Sequence, residues 1–234
     1  MKNLVTISHI SKKFKKRVIL KDVSFNIVQS QHLALIGHNG AGKSLLLDII
    51  AGIIKPTSGQ IDYYFEDQPY YQQIGMQFQT IDFLSILSVN DMIRFNIDQY
   101  NVKINQSELD ILIDGFEVRT FLKQKCAKLS GGQKQRLNLL LALINQPKLL
   151  LLDEFATGLD HLVKIRLRKF ILDYCQKRQI TIVTIAHDLD DIEWFARQIV
   201  VLDQGIIVDQ LSMETLKNKF GSVSALVSHY LDLK

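Results

Sequence analysis

The chain has 234 residues, 47% hydrophobic and 22% charged, a balance that suits one sizeable globular domain and excludes an intrinsically disordered chain. Lysine and arginine (28) outnumber aspartate and glutamate (24), for a formal net charge of +4. Mean hydropathy is +0.07, but no run of 18 apolar residues exists, since residues 137–152 are broken by Asn145, Gln146 and Pro147; a membrane-spanning helix is excluded.

Along the chain, residues 4–7 and 23–27 alternate apolar and polar, as half-buried strands do. Between them lies a basic cluster from Lys12 to Arg17, read as a solvated hairpin tip, with a nucleic-acid or membrane surface as the alternative. Residues 32–37 are a continuous apolar run ending in glycine, which predicts a strand buried on both faces. A helix is expected over 45–51, stopping at Gly52, then strands over 60–65 and 74–78. From 80 to 128 the spacing turns helical (Val89, Met92, Ile93, Ile97; then Leu109, Leu112, Ile113, Phe116) and reads as an inserted helical lobe. Buried-strand runs return at 148–152 and 181–185, among helical stretches over 133–145, 161–177 and 188–198. Residues 200–208 read as a hairpin turning at Asp203-Gln204-Gly205, and the tail from 213 as one or two helices on the core. Strands alternating with helices imply an α/β core with a parallel sheet.

Three motifs carry chemistry. Gly37-His38-Asn39-Gly40-Ala41-Gly42-Lys43-Ser44 joins a buried strand to an apolar helix. Its glycines let backbone N–H groups wrap a phosphate, and the helix from Lys43 adds its positive dipole end. Lys43 reaches the β- and γ-phosphates of a nucleotide, and Ser44 offers a hydroxyl to Mg²⁺. Leu149–Asp153 followed by Glu154 places two carboxylates at the end of an apolar strand, where α/β sheets bind ligands. Asp153 suits Mg²⁺, and Glu154 suits polarisation of an attacking water. Ser130-Gly131-Gly132-Gln133 opens another apolar helix: an N-cap and two glycines at a positive helix end, a second γ-phosphate binder.

In this order and spacing the motifs make the chain resemble the nucleotide-binding subunit of ATP-binding cassette (ABC) transporters, over nearly its whole length. The resemblance implies a P-loop NTPase (RecA-like) core with a mainly parallel sheet, an antiparallel β subdomain and a helical subdomain. It implies one domain over 1–234, with the core at 1–79 and 129–234 and the helical subdomain at 80–128. By the same resemblance Phe14 is the adenine-stacking aromatic, Gln79 the catalytic and Mg²⁺-binding glutamine leading into the helical lobe, and His187 a catalytic histidine. Thr157 and Asp160 belong to the loop that meets the opposite subunit. Phe14 covering its hairpin, Gln79 as a surface residue and His187 as a structural histidine are the plainer alternatives. Phe155 and His161 stand where the family usually has proline.

The resemblance implies ATP hydrolysis with Mg²⁺ by two cassettes closing head to tail, so that the Ser130 helix of one covers nucleotide held by the other. Because this chain carries both halves of a site, a homodimer is preferred over a heterodimer. Membrane permease subunits on separate chains are the other expected partners, and no nucleic acid. Phe83, Leu84, Ile86 and Leu87 either meet such a permease or are buried in the lobe. Export is preferred over import as the direction. Two cysteines, Cys126 and Cys175, fit no metal spacing or disulfide framework, and no secretory segment is seen at the N-terminus. The expected location is therefore the cytoplasm, peripheral on the inner face of the cell membrane. The other classes are a soluble ABC-type ATPase in an assembly pathway and a small-molecule phosphotransferase; the Ser130 helix argues against the second.

Overall fold

The computed structural model describes residues 2–66, 69–79, 82–155, 158–186 and 188–231. In chain order the elements are β1 (Asn3–Phe14), β2 (Arg17–Val28), β3 (Leu33–Ile36), α1 (Lys43–Ile50), β4 (Ser58–Tyr63), β5 (Ile74–Gln77), α2 (Val89–Gln99), α3 (Gln106–Gly115), α4 (Gly131–Leu143), β6 (Leu149–Asp153), α5 (His161–Lys177), β7 (Thr181–Ile185), α6 (Leu189–Phe195), β8 (Gln198–Asp203), β9 (Ile206–Ser212), α7 (Met213–Phe220) and α8 (Val223–Leu231). They group into two units, residues 1–71 with 181–234, and residues 72–180.

In the first unit, β1 pairs antiparallel with β2 on one edge and β4 on the other. β1 runs on through Lys12 and Lys13 to Phe14, well beyond the alternating residues 4–7, because β2 keeps it paired to its end after the pairing with β4 stops at Ser11. Lys13, Lys15, Lys16 and Arg17 are exposed, as a solvated hairpin tip requires. The all-buried β3 lies parallel between β7 and β8, with Leu33 opposite both Val183 and Gln198. Antiparallel β9 pairs on β8 through a two-residue turn in which Gln204 and Gly205 both take left-handed φ angles of 45° and 81°. That geometry matches strand twist in a tight hairpin. The tail forms two helices: Leu216 of α7 with Val223 and Leu226 of α8 close a core over Ala34 and Ile36 of β3 and Ile199 and Val201 of β8. α6 ends at Phe195, earlier than the spacing predicts, because Ala196 turns extended (ψ 136°) into β8.

In the second unit β5 and β6 pair in parallel, Ile74 opposite Leu149. α2 starts on a capping box in which Ser88 Oγ accepts from Asp91 N at 3.1 Å, and α3 on Asn105, whose Oδ1 accepts from Glu108 N at 2.9 Å. Val89, Ile93, Leu112, Ile113 and Phe116 of the predicted helical spacing are buried. Glu117 then receives Arg136 Nη1 of α4 at 3.0 Å and Arg166 Nε of α5 at 2.7 Å. Tyr174 Oη donates to Glu108 Oε1 at 2.7 Å, and Arg178 also pairs with Glu108. These contacts tie α3 and the segment just after it to α4 and α5 through two carboxylates, Glu108 and Glu117. No described helix is long and apolar enough to cross a membrane.

Candidate nucleotide site

The phosphate loop lies in the first unit. β3 delivers the chain to Gly37, and α1 opens at Lys43. Its N-cap is Gly42, in the left-handed region at φ 104°, and a Cβ there would stand 2.7 Å from Leu20 Cδ2; only glycine fits. Among the described residues no side chain caps α1, and a helix start of that kind suits an anionic acceptor. Lys43 is buried, and its Nζ donates to Gly37 O at 2.7 Å and His38 O at 2.9 Å. The ammonium thus gathers the loop around itself. Asn39, Gly40 and Ser44 are exposed, and Ala41 is buried. His38 Nε2 is buried with no hydrogen-bond partner among the described residues. An uncapped helix start, a buried cation and an orphaned polar atom in one loop fit a bound phosphate chain. Phe14 closes β1 with its side chain half exposed, at 49%. His187 lies outside the described residues, and so does Thr157.

The second unit holds the acidic pair and the glycine-rich helix start. Asp153 is the last residue of β6 and is buried; Glu154 follows in the left-handed region, φ 55°. A non-glycine residue held there is strained, and such residues gather at functional sites. Phe155 is fully buried, which accounts for a large apolar side chain where proline was expected. His161 is the first residue of α5, the position where proline is favoured because no N–H partner is needed and its φ is already helical; histidine takes the same place without that preorganisation. Asp160 is the N-cap of α5, its Oδ1 accepting from Val163 N at 3.0 Å, so it has a local duty besides any toward a partner.

Ser130 caps α4. Its Oγ accepts from Gln133 N at 3.2 Å, and its own N–H donates to Gln133 Oε1 at 3.0 Å. A Cβ on Gly131 would meet nothing within 4 Å; on Gly132 it would meet Leu159 Cδ2 at 3.2 Å. Among the described residues nothing demands glycine at Gly131, the first residue of α4.

Two residues that the motifs do not announce hold the loops in place. Gln135 Nε2 donates to Phe155 O at 2.9 Å, and Asn138 Nδ2 donates to Phe78 O at 2.8 Å. They are three apart on α4, hence on one face. One face of the glycine-led helix therefore fixes the backbone next to both Glu154 and Gln79, the latter exposed just after β5. In sequence the two are merely polar residues interrupting an apolar helix. Their partners lie 20 and 60 residues away, so no local pattern reports them.

A family model described as ABC transporter matches residues 20–157. The chain is 33% identical over 201 residues to the energy-coupling factor transporter ATP-binding protein EcfA of Malacoplasma penetrans, across 81% of this chain and 69% of that protein. It is 31% identical to the spermidine/putrescine import ATP-binding protein PotA of Mycoplasma mycoides, across 93% of this chain and 64% of that protein. Among solved structures, the ATP-binding subunit of an ABC transporter superposes with a TM-score of 0.85 at 24% identity, covering 97% of this chain and 99% of the other. PotA is named for import, so the expected export direction finds no support. A model spanning more than half the chain, and a relative aligned over most of both lengths, bear out the family resemblance: the chain belongs to the ABC transporter family of ATP-binding subunits.

Proposed function

We propose that the chain binds and hydrolyses MgATP as one of two paired cassettes and so drives uptake of a substrate through permease subunits on separate chains, peripheral to the inner face of the membrane. The uptake direction follows the import name of its relative. The observation that carries the pairing is the start of α4, where the Ser130–Gln133 capping box is formed and a Cβ on Gly131 would meet only open space, so that glycine there keeps the helix end accessible from outside. An accessible helix N-terminus suits phosphate oxygens arriving from outside, since the N–H groups that the capping box does not use stabilise the anion without a counter-charge to desolvate.

In this reading Phe14 stacks the adenine, and Gly37–Ser44 with Lys43 hold the phosphates. Ser44, Asp153 and Gln79 would hold Mg²⁺, which when bound neutralises phosphate charge. Glu154 accepts a proton from the attacking water, and its strained backbone aims the carboxylate at the cost of stability. His187 steadies the γ-phosphate. Thr157 and Asp160 face the opposite subunit, whose Ser130–Gln133 segment covers the nucleotide. Within the lobe Phe83 is buried, whereas Leu84 and Ile86 are 49% and 78% exposed; the exposed pair is the candidate contact for a permease.

Mixing two defective chains tests the shared site. Lys43→Ala and Ser130→Arg are each expected to be inactive alone. Combined, they form one intact site from the phosphate loop of the second and the capped helix of the first, and ATPase activity should partly return. Full activity of either variant as a dilute monomer would refute the pairing.

A further inference from the structure

Resting on the reading of Phe14 as the base platform, we infer that Lys12 is a positioning residue for adenine: its ammonium occupies one face of the Phe14 ring and pins the ring to the loop after α1, leaving the other face for the base. Lys12 Nζ lies 5.0 Å from the centroid of the Phe14 ring, within range of cation–π attraction. The same Nζ donates to Lys55 O at 2.6 Å. Two further bonds strap this end of β1 to the same loop: Thr57 N donates to Ser11 O at 2.8 Å, and Lys13 N to Thr57 Oγ1 at 3.1 Å. That loop leaves α1, the helix that Lys43 opens. Lys12 thereby links the exposed ring to the element that carries the phosphate loop.

The physical gain is preorganisation. A half-exposed phenylalanine at a hairpin tip must surrender rotamer freedom before a base can stack on it, and that loss subtracts from affinity. A cation already seated on one face removes part of the loss and decides which face remains. The ammonium is held by a backbone carbonyl, so its contribution runs through the ring rather than through the phosphates. Lys13, Lys15, Lys16 and Arg17 are exposed charges on the same tip and supply only a general attraction to anions.

The test compares binding of MgATP with binding of magnesium triphosphate, which has no base, by calorimetry. Lys12→Met should weaken ATP about 3–10-fold and leave triphosphate unchanged. Lys12→Arg, which can still stack and donate, should restore ATP affinity, and Lys16→Met should cost ATP no more than triphosphate. In a Phe14→Ala background Lys12→Met should have no further effect. Equal losses for ATP and triphosphate, or a loss that persists without Phe14, would show Lys12 acting on the phosphates and overturn the inference. Unchanged ATP affinity in Lys12→Met while Phe14→Ala weakens it also overturns the inference but leaves the platform standing. Wild-type ATP affinity in Phe14→Ala removes the platform and the inference together.

Discussion

Gly75→Ala adds one methyl group at a close approach between strand and helix in the second unit. Gly75 lies in β5 opposite Leu150 of β6, and a Cβ there would stand 1.9 Å from Ala142 O of α4 and 2.9 Å from Pro147 Cγ. Ordinary contact begins at 3.4 Å, so this turn of α4 must retreat by about 1.5 Å, since a backbone carbonyl cannot rotate aside as a side chain would. Asn138 sits one turn earlier on α4, and its 2.8 Å bond to Phe78 O would stretch past hydrogen-bonding range. Overpacking of this kind costs about 1–3 kcal/mol, and the lost bond about 1 kcal/mol more. A total of ~3 kcal/mol in a chain of this size lowers Tm by about 6–12 °C. Far-UV circular dichroism melts of both proteins measure it, and ATP turnover should fall as well, because the segment entering Gln79 is released. A Tm within about 2 °C of wild type would refute the claim that Gly75 sets the distance between β5 and α4.

Lys43→Ala should weaken MgATP binding about 10–150-fold, the worth of a charged hydrogen bond, with calorimetry as the check; unaltered affinity would remove Lys43 from the phosphate site. Glu154→Gln should keep ATP binding yet slow hydrolysis by a factor on the order of 100 or more, and size-exclusion chromatography in MgATP should show a dimer accumulating. Stability should also fall with acid through His32, whose pKa is lowered from 6.5 to about 4 by burial and then by the Arg197 cation. Its Nδ1 accepts from Ile182 N at 3.1 Å, a bond that the protonated ring cannot make. Because the folded pKa is the lower one, the unfolded chain takes up a proton between pH 6.5 and 4 that the folded chain refuses. The contribution is complete above pH 6.5 and is lost on descending to 4, by about 3 kcal/mol. Urea midpoints of wild type should therefore drop more steeply over that range than those of His32→Asn; parallel curves would show that His32 does not titrate with folding.

What the sequence discloses here follows from how local the cause is. The runs at Leu33–Ile36 and Leu149–Asp153 are buried on every residue, so continuous apolarity alone marks them. The phosphate loop is legible because its glycines, lysine and serine act within eight residues. His9 and Asp22 are a different case: both take left-handed φ angles, 53° and 55°, where the β1–β2 register shifts, and no glycine announces either bulge. Gln135 and Asn138 were equally silent, since what they satisfy is a carbonyl brought near by tertiary folding. The strain at Glu154 has no signature in composition at all; it appears only as a dihedral angle.

β3 leads directly into the phosphate loop, yet it is hydrogen-bonded to β7 and β8, strands that begin at Thr181 and Gln198. During synthesis at roughly 5–20 residues per second, the ribosome needs about 7–30 s after making β3 to deliver the first of these partners. For that interval Leu33, Ala34, Leu35 and Ile36 are an unpaired apolar edge, and the loop beyond them has no frame. Nucleotide affinity is therefore acquired late, when the nascent chain is nearly finished, and ATP cannot template the early steps of folding. A ribosome stalled before Thr181 should carry a chain that holdase chaperones recognise and that ATP does not protect from protease.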